Sequence, residues 1–223
     1  MPTIHLRPGR EASLLRRHPW VFSGGVERVE GSPGPGDTVD VRSAGGDLLG
    51  RGAFSPASQI RVRMWTFDPD EDVDPDLFRR RIERAAASRV PVPTGDEPSA
   101  RRLVNAESDG LPGLVVDRYG EYLVCQILAA GPERWRDELV AALREGFAQT
   151  TPMAPMAIRG IWERSDADVR TKEGLSERTG PLWGDEPPEL VEIRETGPGG
   201  PTVHLADLRH GHKTGLYLDQ RRN

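Results

Sequence analysis

The chain of 223 residues carries one cysteine and five histidines, so few side chains are available for nucleophilic or metal chemistry. Cys125 lies within Tyr122-Leu123-Val124-Cys125-Gln126-Ile127-Leu128, an apolar run with no adjacent histidine or cation to generate a thiolate. Packing is its expected role, since free cysteine is among the most buried residue types. His210 and His212 flank Gly211 and would share one face of a strand, but no carboxylate or third histidine stands at ligand spacing. No metal site is expected. Neither a G-x-G-x-x-G nor a G-x-x-x-x-G-K-[ST] loop occurs, and Gly31 to Gly36, with Pro33 and Pro35, reads as a turn. The residues by themselves assemble no complete active site.

Binding chemistry is better represented. His18-Pro19-Trp20-Val21-Phe22-Ser23-Gly24-Gly25 follows Arg16 and Arg17. Aromatic faces stack on bases, arginine forks hold phosphates, and glycines admit close backbone approach. That pattern nominates Arg16, His18, Ser23, Gly24 and Gly25 as RNA contacts, although Trp20 and Phe22 serve equally well as core anchors of a small barrel. Arg51, Arg61 and Arg63 extend the same set. Arg61 and Arg63 share a strand face with Trp65, which is either a basic-aromatic stripe or a solvated edge. Arg79-Arg80-Arg81 reads as a solvated helix surface. The RNA reading requires Arg16, Arg17, Arg51, Arg61 and Arg63 to form one continuous face near Gly24.

The elements that must position these groups follow from periodicity and turn residues. Residues 9–17 read as a helix carrying Leu14 and Leu15, and strands are expected at 38–41, 48–54 and 60–67. In the last, Ile60, Val62 and Met64 alternate with Arg61, Arg63 and Trp65. An acidic, Pro-punctuated linker at 68–75 leads into a helix reaching about Arg89, with Leu77, Phe78, Ile82, Ala85 and Ala86 on one face. Residues 91–98 break it. Further strands are expected at 103–104, 114–116, 122–128, 158–162, 190–193 and 203–208, with one helix over 132–147 striped by Trp135, Leu139, Leu143 and Phe147.

Hydrophobic residues make up 36% of the chain and no apolar run is long enough for a membrane span, so no membrane association is expected. The N-terminus has no apolar signal core, and a lone cysteine excludes a disulfide framework, which together place the protein in the cytoplasm. The net charge is -5, yet residues 1–66 hold nine arginines against six carboxylates. A basic N-terminal third on an acidic protein suits a polyanion confined to one region.

Several longer motifs occur in register. They are His18 to Gly24, Gly50 to Arg61, Glu107-Ser108-Asp109-Gly110-Leu111-Pro112-Gly113-Leu114 with Asp117-Arg118-Tyr119-Gly120, Arg164-Ser165-Asp166 with Val169-Arg170 and Lys172-Glu173-Gly174, and His210 to Arg221. In this order they resemble the large-subunit (23S) rRNA cytosine-5 methyltransferase I family. The resemblance implies an RNA-binding PUA domain, a middle α+β domain and a Rossmann-like domain for S-adenosylmethionine. In that family a thiolate adds to cytosine and carbon five takes the methyl group. It implies that Lys213, Thr214, Tyr217, Asp219, Gln220 and Arg221 border the donor pocket.

The expected fold class is therefore α+β, with an N-terminal PUA-like small β-barrel, a mixed α+β middle domain, and the Rossmann-like methyltransferase domain missing beyond Asn223. The expected divisions are 1–68, PUA-like; 69–100, linker and connecting helix; 101–208, middle domain; and 209–223, the start of a truncated methyltransferase domain. The expected function is binding of rRNA without methylation, with no catalytic residue and no donor bound by this chain alone. A non-catalytic protein-interaction or assembly module is the alternative, and a homodimer is compatible with either.

Overall fold

The computed structural model describes residues 1–89, 100–147, 157–197, 200–216 and 218. Among the described residues, three sheets and five α-helices follow one another along the chain. The first group is β1 (Thr3–Leu6), α1 (Ala12–Leu15), β2 (Trp20–Phe22), β3 (Val26–Glu30), β4 (Thr38–Arg42), β5 (Leu48–Phe54) and β6 (Ile60–Thr66). These strands form one sheet in the order β2-β6-β5-β4-β1-β3, antiparallel except for the β1–β4 pair. Ile4, Leu6, Val21, Val39, Val41, Phe54, Val62 and Met64 pack with Leu14 of α1 into one buried cluster. Strands that bury their inner residues against one another must curl, and Leu14 of α1 completes the cluster.

The helix α2 (Pro75–Ala87) starts where local chemistry demands. The Asp74 carboxylate accepts the Leu77 N–H at 2.8 Å, and Pro75, which has no N–H to leave unsatisfied, occupies the first turn. Its buried face holds the five apolar residues that the periodicity predicts and, in addition, Arg81.

The second group is β7 (Ala100–Asn105), β8 (Leu114–Tyr119), β9 (Tyr122–Ile127), α3 (Ala130–Arg134), α4 (Arg136–Phe147), β10 (Gly160–Ser165), α5 (Val169–Lys172) and β11 (Arg178–Gly184). They build a sheet in the order β11-β10-β9-β8-β7. Because β9 and β10 run parallel, the chain needs a crossover between them, which α3 and α4 supply. The helix expected over 132–147 is two helices, broken at Trp135. Along β9, Leu123, Cys125 and Ile127 enter the core under α2 and α4, whereas Tyr122 and Val124 face the hairpin β12 (Val191–Gly197) and β13 (Gly200–Ala206) on the other side.

The expected solvated face of β6 is interior. Trp65 and Ala53 belong to the same buried cluster as Leu77, Phe78 and Leu139, so a core crosses the expected boundary at residue 68. Arg63, also expected outside, is buried, because this face of the sheet is covered by α3 and by the segment around Glu173. The expected helix at 9–17 shrinks to α1, since Gly9 takes a left-handed backbone (φ 78°) that does not continue a helix. Among the expectations, the break at 91–98 lies outside the described residues.

The seam between the two sheets has no spare room at Gly131. A Cβ there would meet the Ala53 Cβ at 2.6 Å and Trp65 Cζ2 at 2.7 Å. We expect Gly131→Val to lower unfolding free energy by about 1–3 kcal/mol, the usual cost of overpacking. Equal denaturation midpoints for variant and wild type would show that the seam is slack. A second test concerns Glu133. Its burial opposes ionisation, but hydrogen bonds from Arg170 and Arg136 hold its carboxyl below the ordinary carboxylate range. That stabilisation is present above the unfolded value of about 4.3 and disappears as pH falls through the lower folded value. Glu133→Gln should therefore be less stable than wild type at pH 7, with the gap closing below about pH 4. A gap that widens on acidification would contradict the sign.

Candidate functional site

Three regions carry the residues that sequence reasoning nominated. The first is the edge around β2. His18, Trp20 and Phe22 lie on one side of an extended segment, as alternate residues of a strand must. Their rings stack edge to face, with centroids 5.6 Å apart for His18–Trp20 and 6.2 Å for Trp20–Phe22. Phe22 is 51% exposed, an unusual state for a large aromatic, and His18 and Arg16 are exposed as well. Trp20 is partly buried and donates its indole N–H to Glu107 at 2.8 Å. The following Ser23–Gly25 forms a 3-10 turn, and a Cβ on Gly24 would meet nothing within 4 Å.

The second region holds the strand arginines, and they are committed elsewhere. Arg51 pairs with Asp40 at 3.3 Å and donates to the Glu71 carbonyl at 2.9 Å. Arg61 donates to the carbonyls of Ser55 and Pro56, closing its own hairpin. Arg63 is buried against Glu173 at 2.7 Å, with Glu107 at 3.7 Å and the Trp20 ring centroid at 5.7 Å. Arg16, Arg17, Arg51, Arg61 and Arg63 therefore do not form one basic face. Of the helix arginines, Arg79 spans Asp76 and Glu83 on the surface, but Arg81 is buried and donates to the carbonyls of Trp65 and Gly110 and to Glu71. Sequence reasoning missed that Arg81 is a structural tie. Its position on the same helical face as Leu77, Phe78 and Ala85 was the available signal.

The third region is the segment 210–218. Thr214 is buried, donates to Asp117 at 2.7 Å, and lies 2.9 Å from the Tyr119 hydroxyl. The Tyr119 hydroxyl also lies 3.3 Å from the Leu216 carbonyl and accepts the Leu216 N–H. Arg102 clamps Asp117 with two bonds of 2.8 and 3.1 Å, so the fully buried carboxylate is neutralised. Arg164 reaches the Leu208 and Gly211 carbonyls from β10. Lys213, exposed, takes a left-handed backbone (φ 55°) at the tip. Tyr217, Asp219, Gln220 and Arg221 lie outside the described residues. Thus the Thr214 hydroxyl orders this segment from within.

Cys125 is fully enclosed, and burial first, then Glu163 and Asp117, pushes its thiol up. Among the described residues, no group of three or more His, Cys, Asp and Glu is placed to hold a metal ion, and no helix is long and apolar enough to cross a membrane.

Residues 4–67 match a family model described as a PUA-like domain. The chain is 52% identical over 221 residues to the ribosomal RNA large subunit methyltransferase I of Aeromonas hydrophila, covering 99% of this chain and 53% of that protein. It is 49% identical over 220 residues to the enzyme of the same name from Aliivibrio fischeri, covering 98% and 52%. A solved structure described as a SAM-dependent methyltransferase from Streptococcus mutans superposes on 99% of this chain and 52% of its own, with a TM-score of 0.77 at 21% identity. A second, a methyltransferase complexed with SAH, gives the same values.

These findings correct two expectations. The fold class does not stand as a remainder from which a methyltransferase domain is missing, because nearly the whole chain superposes on solved methyltransferase structures and its fold is theirs over that span. The expected function, RNA binding without methylation or a non-catalytic module, is overturned by relatives that carry the methyltransferase name and align over 99% of the chain, and the expectation of no donor for this chain has no support in them. The chain spans about half the length of the curated relatives it matches.

Proposed function

We propose that this protein acts in S-adenosylmethionine-dependent methylation of large-subunit ribosomal RNA in the cytoplasm, with carbon five of a cytosine as the acceptor. The observation that carries this reading is the 52% identity over 221 residues to a large-subunit rRNA methyltransferase. The PUA-like match over residues 4–67 and the exposed aromatic ladder of β2 support RNA contact at the N-terminal sheet. There Arg16, His18, Ser23, Gly24 and Gly25 supply a cation, ring faces and open backbone.

The donor's contribution is an activated methyl group on a sulfonium. The residues that would border it are Lys213 and the main chain around Thr214. The Asp117–Thr214–Tyr119 bonds fit that task because they fix the segment from within. Cys125 does not act as the nucleophile that attack on cytosine requires, since a thiol buried in a strand core cannot reach a base.

The reading is tested in the cell that encodes the chain. Disrupting its gene should remove one 5-methylcytosine from large-subunit rRNA, read by bisulfite sequencing, and restoring the gene should bring it back. Loss of a different methylated nucleoside in an RNA digest would correct the acceptor while keeping the reaction. Unchanged methylation at every position would overturn the proposal. Separately, Cys125 in the native protein should resist a thiol reagent at pH 8, reacting at least about a hundredfold more slowly than in denaturant. Labelling at the rate of a free thiol would return it to the list of nucleophiles.

A further inference from the structure

Between β6, α2 and the loop at 106–113 lies a cleft of about 590 Å³, inside the range of roughly 300–1,000 Å³ typical of small-ligand pockets. Carboxylates surround it, yet they are engaged. Glu71 holds Arg81 at 2.9 Å and Arg80 at 3.6 Å. Asp109 takes both prongs of Arg89 and the Asn105 N–H. Glu107 receives the Trp20 indole and faces Arg63, and Asp68 accepts the Asp70 N–H at 2.9 Å. Two guanidinium groups on the same walls are different. Arg17 and Arg84 are exposed and make no ion pair with any carboxylate among the described residues.

The backbone singles out the same place. Three described non-glycine residues have positive φ, and two of them border this cleft: Arg17 (φ 63°), and Ala106 (φ 47°) immediately before Glu107. Such conformations persist only where the surroundings impose them, and they gather at functional sites. At Arg17 the imposed backbone sets the guanidinium over the Phe67 ring, 5.3 Å from its centroid. Ser108, exposed on the rim, offers a hydroxyl. The cleft is also continuous with the aromatic ladder, since Pro19 lines it and the next residue, Trp20, is bonded to Glu107 of its wall.

We propose that this cleft seats one nucleotide of the RNA, with its phosphate on Arg17 and Arg84, its sugar beside Ser108, and the adjoining bases along His18, Trp20 and Phe22. Unpaired guanidiniums beside open aromatic faces suit a single-stranded polynucleotide, which presents phosphates and ring faces in alternation. The inference rests on the RNA reading given above and adds to it the surface that RNA occupies. It moves the contact from the β6 arginines to the junction between the two sheets.

The test is fluorescence anisotropy with a fluorescein-labelled, single-stranded 20-nucleotide RNA of mixed sequence. Arg17→Gly removes the guanidinium while leaving a residue that favours φ near 63°, and Arg84→Gln keeps a helix former on an exposed face. The double variant should bind at least fivefold more weakly than wild type, with a salt slope shallower by about 1.4, two contacts at roughly 0.7 each. Ser108→Trp, which fills the cleft from an exposed position, should weaken binding to a similar degree. Arg79→Gln, outside the cleft, should stay within twofold. A smaller loss in the double variant, or an equal loss in Arg79→Gln, would overturn the assignment while leaving RNA binding intact. Displacement of the RNA by 10 mM inorganic phosphate at matched ionic strength would make the cleft an oxyanion site and also overturn it. If wild type binds no RNA even at low salt, the RNA reading itself falls, and with it this inference.

Discussion

The buried pair of Arg63 and Glu173 is the contact on which the rest of the arrangement depends. It joins a strand of the N-terminal sheet to the turn after α5, 110 residues later in the chain. Neither side chain can be removed alone at small cost, because breaking a buried pair leaves an uncompensated charge, at about 3–5 kcal/mol. The second oxygen of Glu173 lies 3.4 Å from the Ala130 N–H at the start of α3, and Arg63 also faces Glu107. The pair thus ties together α3, the end of α5, β6 and the 106–113 loop. The desolvation cost of a buried pair offsets much of its attraction, so what this one supplies is the register of one sheet against another.

Once that seam is set, the two functional fronts follow from it. On one side, Glu107 is held where it can accept the Trp20 indole, which leaves Phe22 and His18 projecting beyond the core. On the other, β8 and β9 are packed between the helices and the β12–β13 hairpin, so that Asp117 and Tyr119 point away from the seam and reach Thr214. The segment 208–216 is held by the Asp117 and Tyr119 side chains of β8, by the Arg164 guanidinium of β10, which donates to the Leu208 and Gly211 carbonyls, and by the burial of Leu208. Its position is therefore a consequence of the same sheet that Arg63 anchors from the opposite face.

Much of this was legible locally. Asp74-Pro75-Asp76 announces the start of α2, and the spacing of Leu77, Phe78, Ile82, Ala85 and Ala86 gives its buried face. The alternation along β6 is also visible, but its meaning is not. Alternation says which residues share a side, and it is silent on what covers each side, so Arg63 and Trp65 read as a surface stripe although both are interior. Four strands escaped notice for separate reasons, the first of them, Thr3–Leu6, being only four residues long. The segment Val26–Glu30 is mostly exposed and has no buried face to betray it, Trp20–Phe22 is only three residues long, and β11 contains Gly180 and Pro181, which an edge strand tolerates. Arg63–Glu173 and Tyr119–Thr214, separated by 110 and 95 residues, leave no trace in any local window.

Charge shows the same limit from another direction. Counting arginines in the N-terminal third nominates a basic surface, and the count is correct, but a phosphate is attracted only by cations that the fold has not already neutralised. Arg51, Arg63, Arg79 and Arg81 each meet carboxylates, and Arg61 spends its guanidinium on two carbonyls. The net charge of -5 is equally uninformative for the opposite reason, because many of the acids are consumed by arginines, Asp109 by Arg89, Asp117 by Arg102 and Glu163 by Arg136 among them. What remains after pairing is a short inventory, in which the exposed Arg16, Arg17 and Arg84 stand out, Arg17 over the half-buried Phe67 ring. For an arginine-rich acidic protein, the field that a polyanion meets is therefore set by the pattern of internal pairing, and only a structure reveals which cations that pattern leaves over.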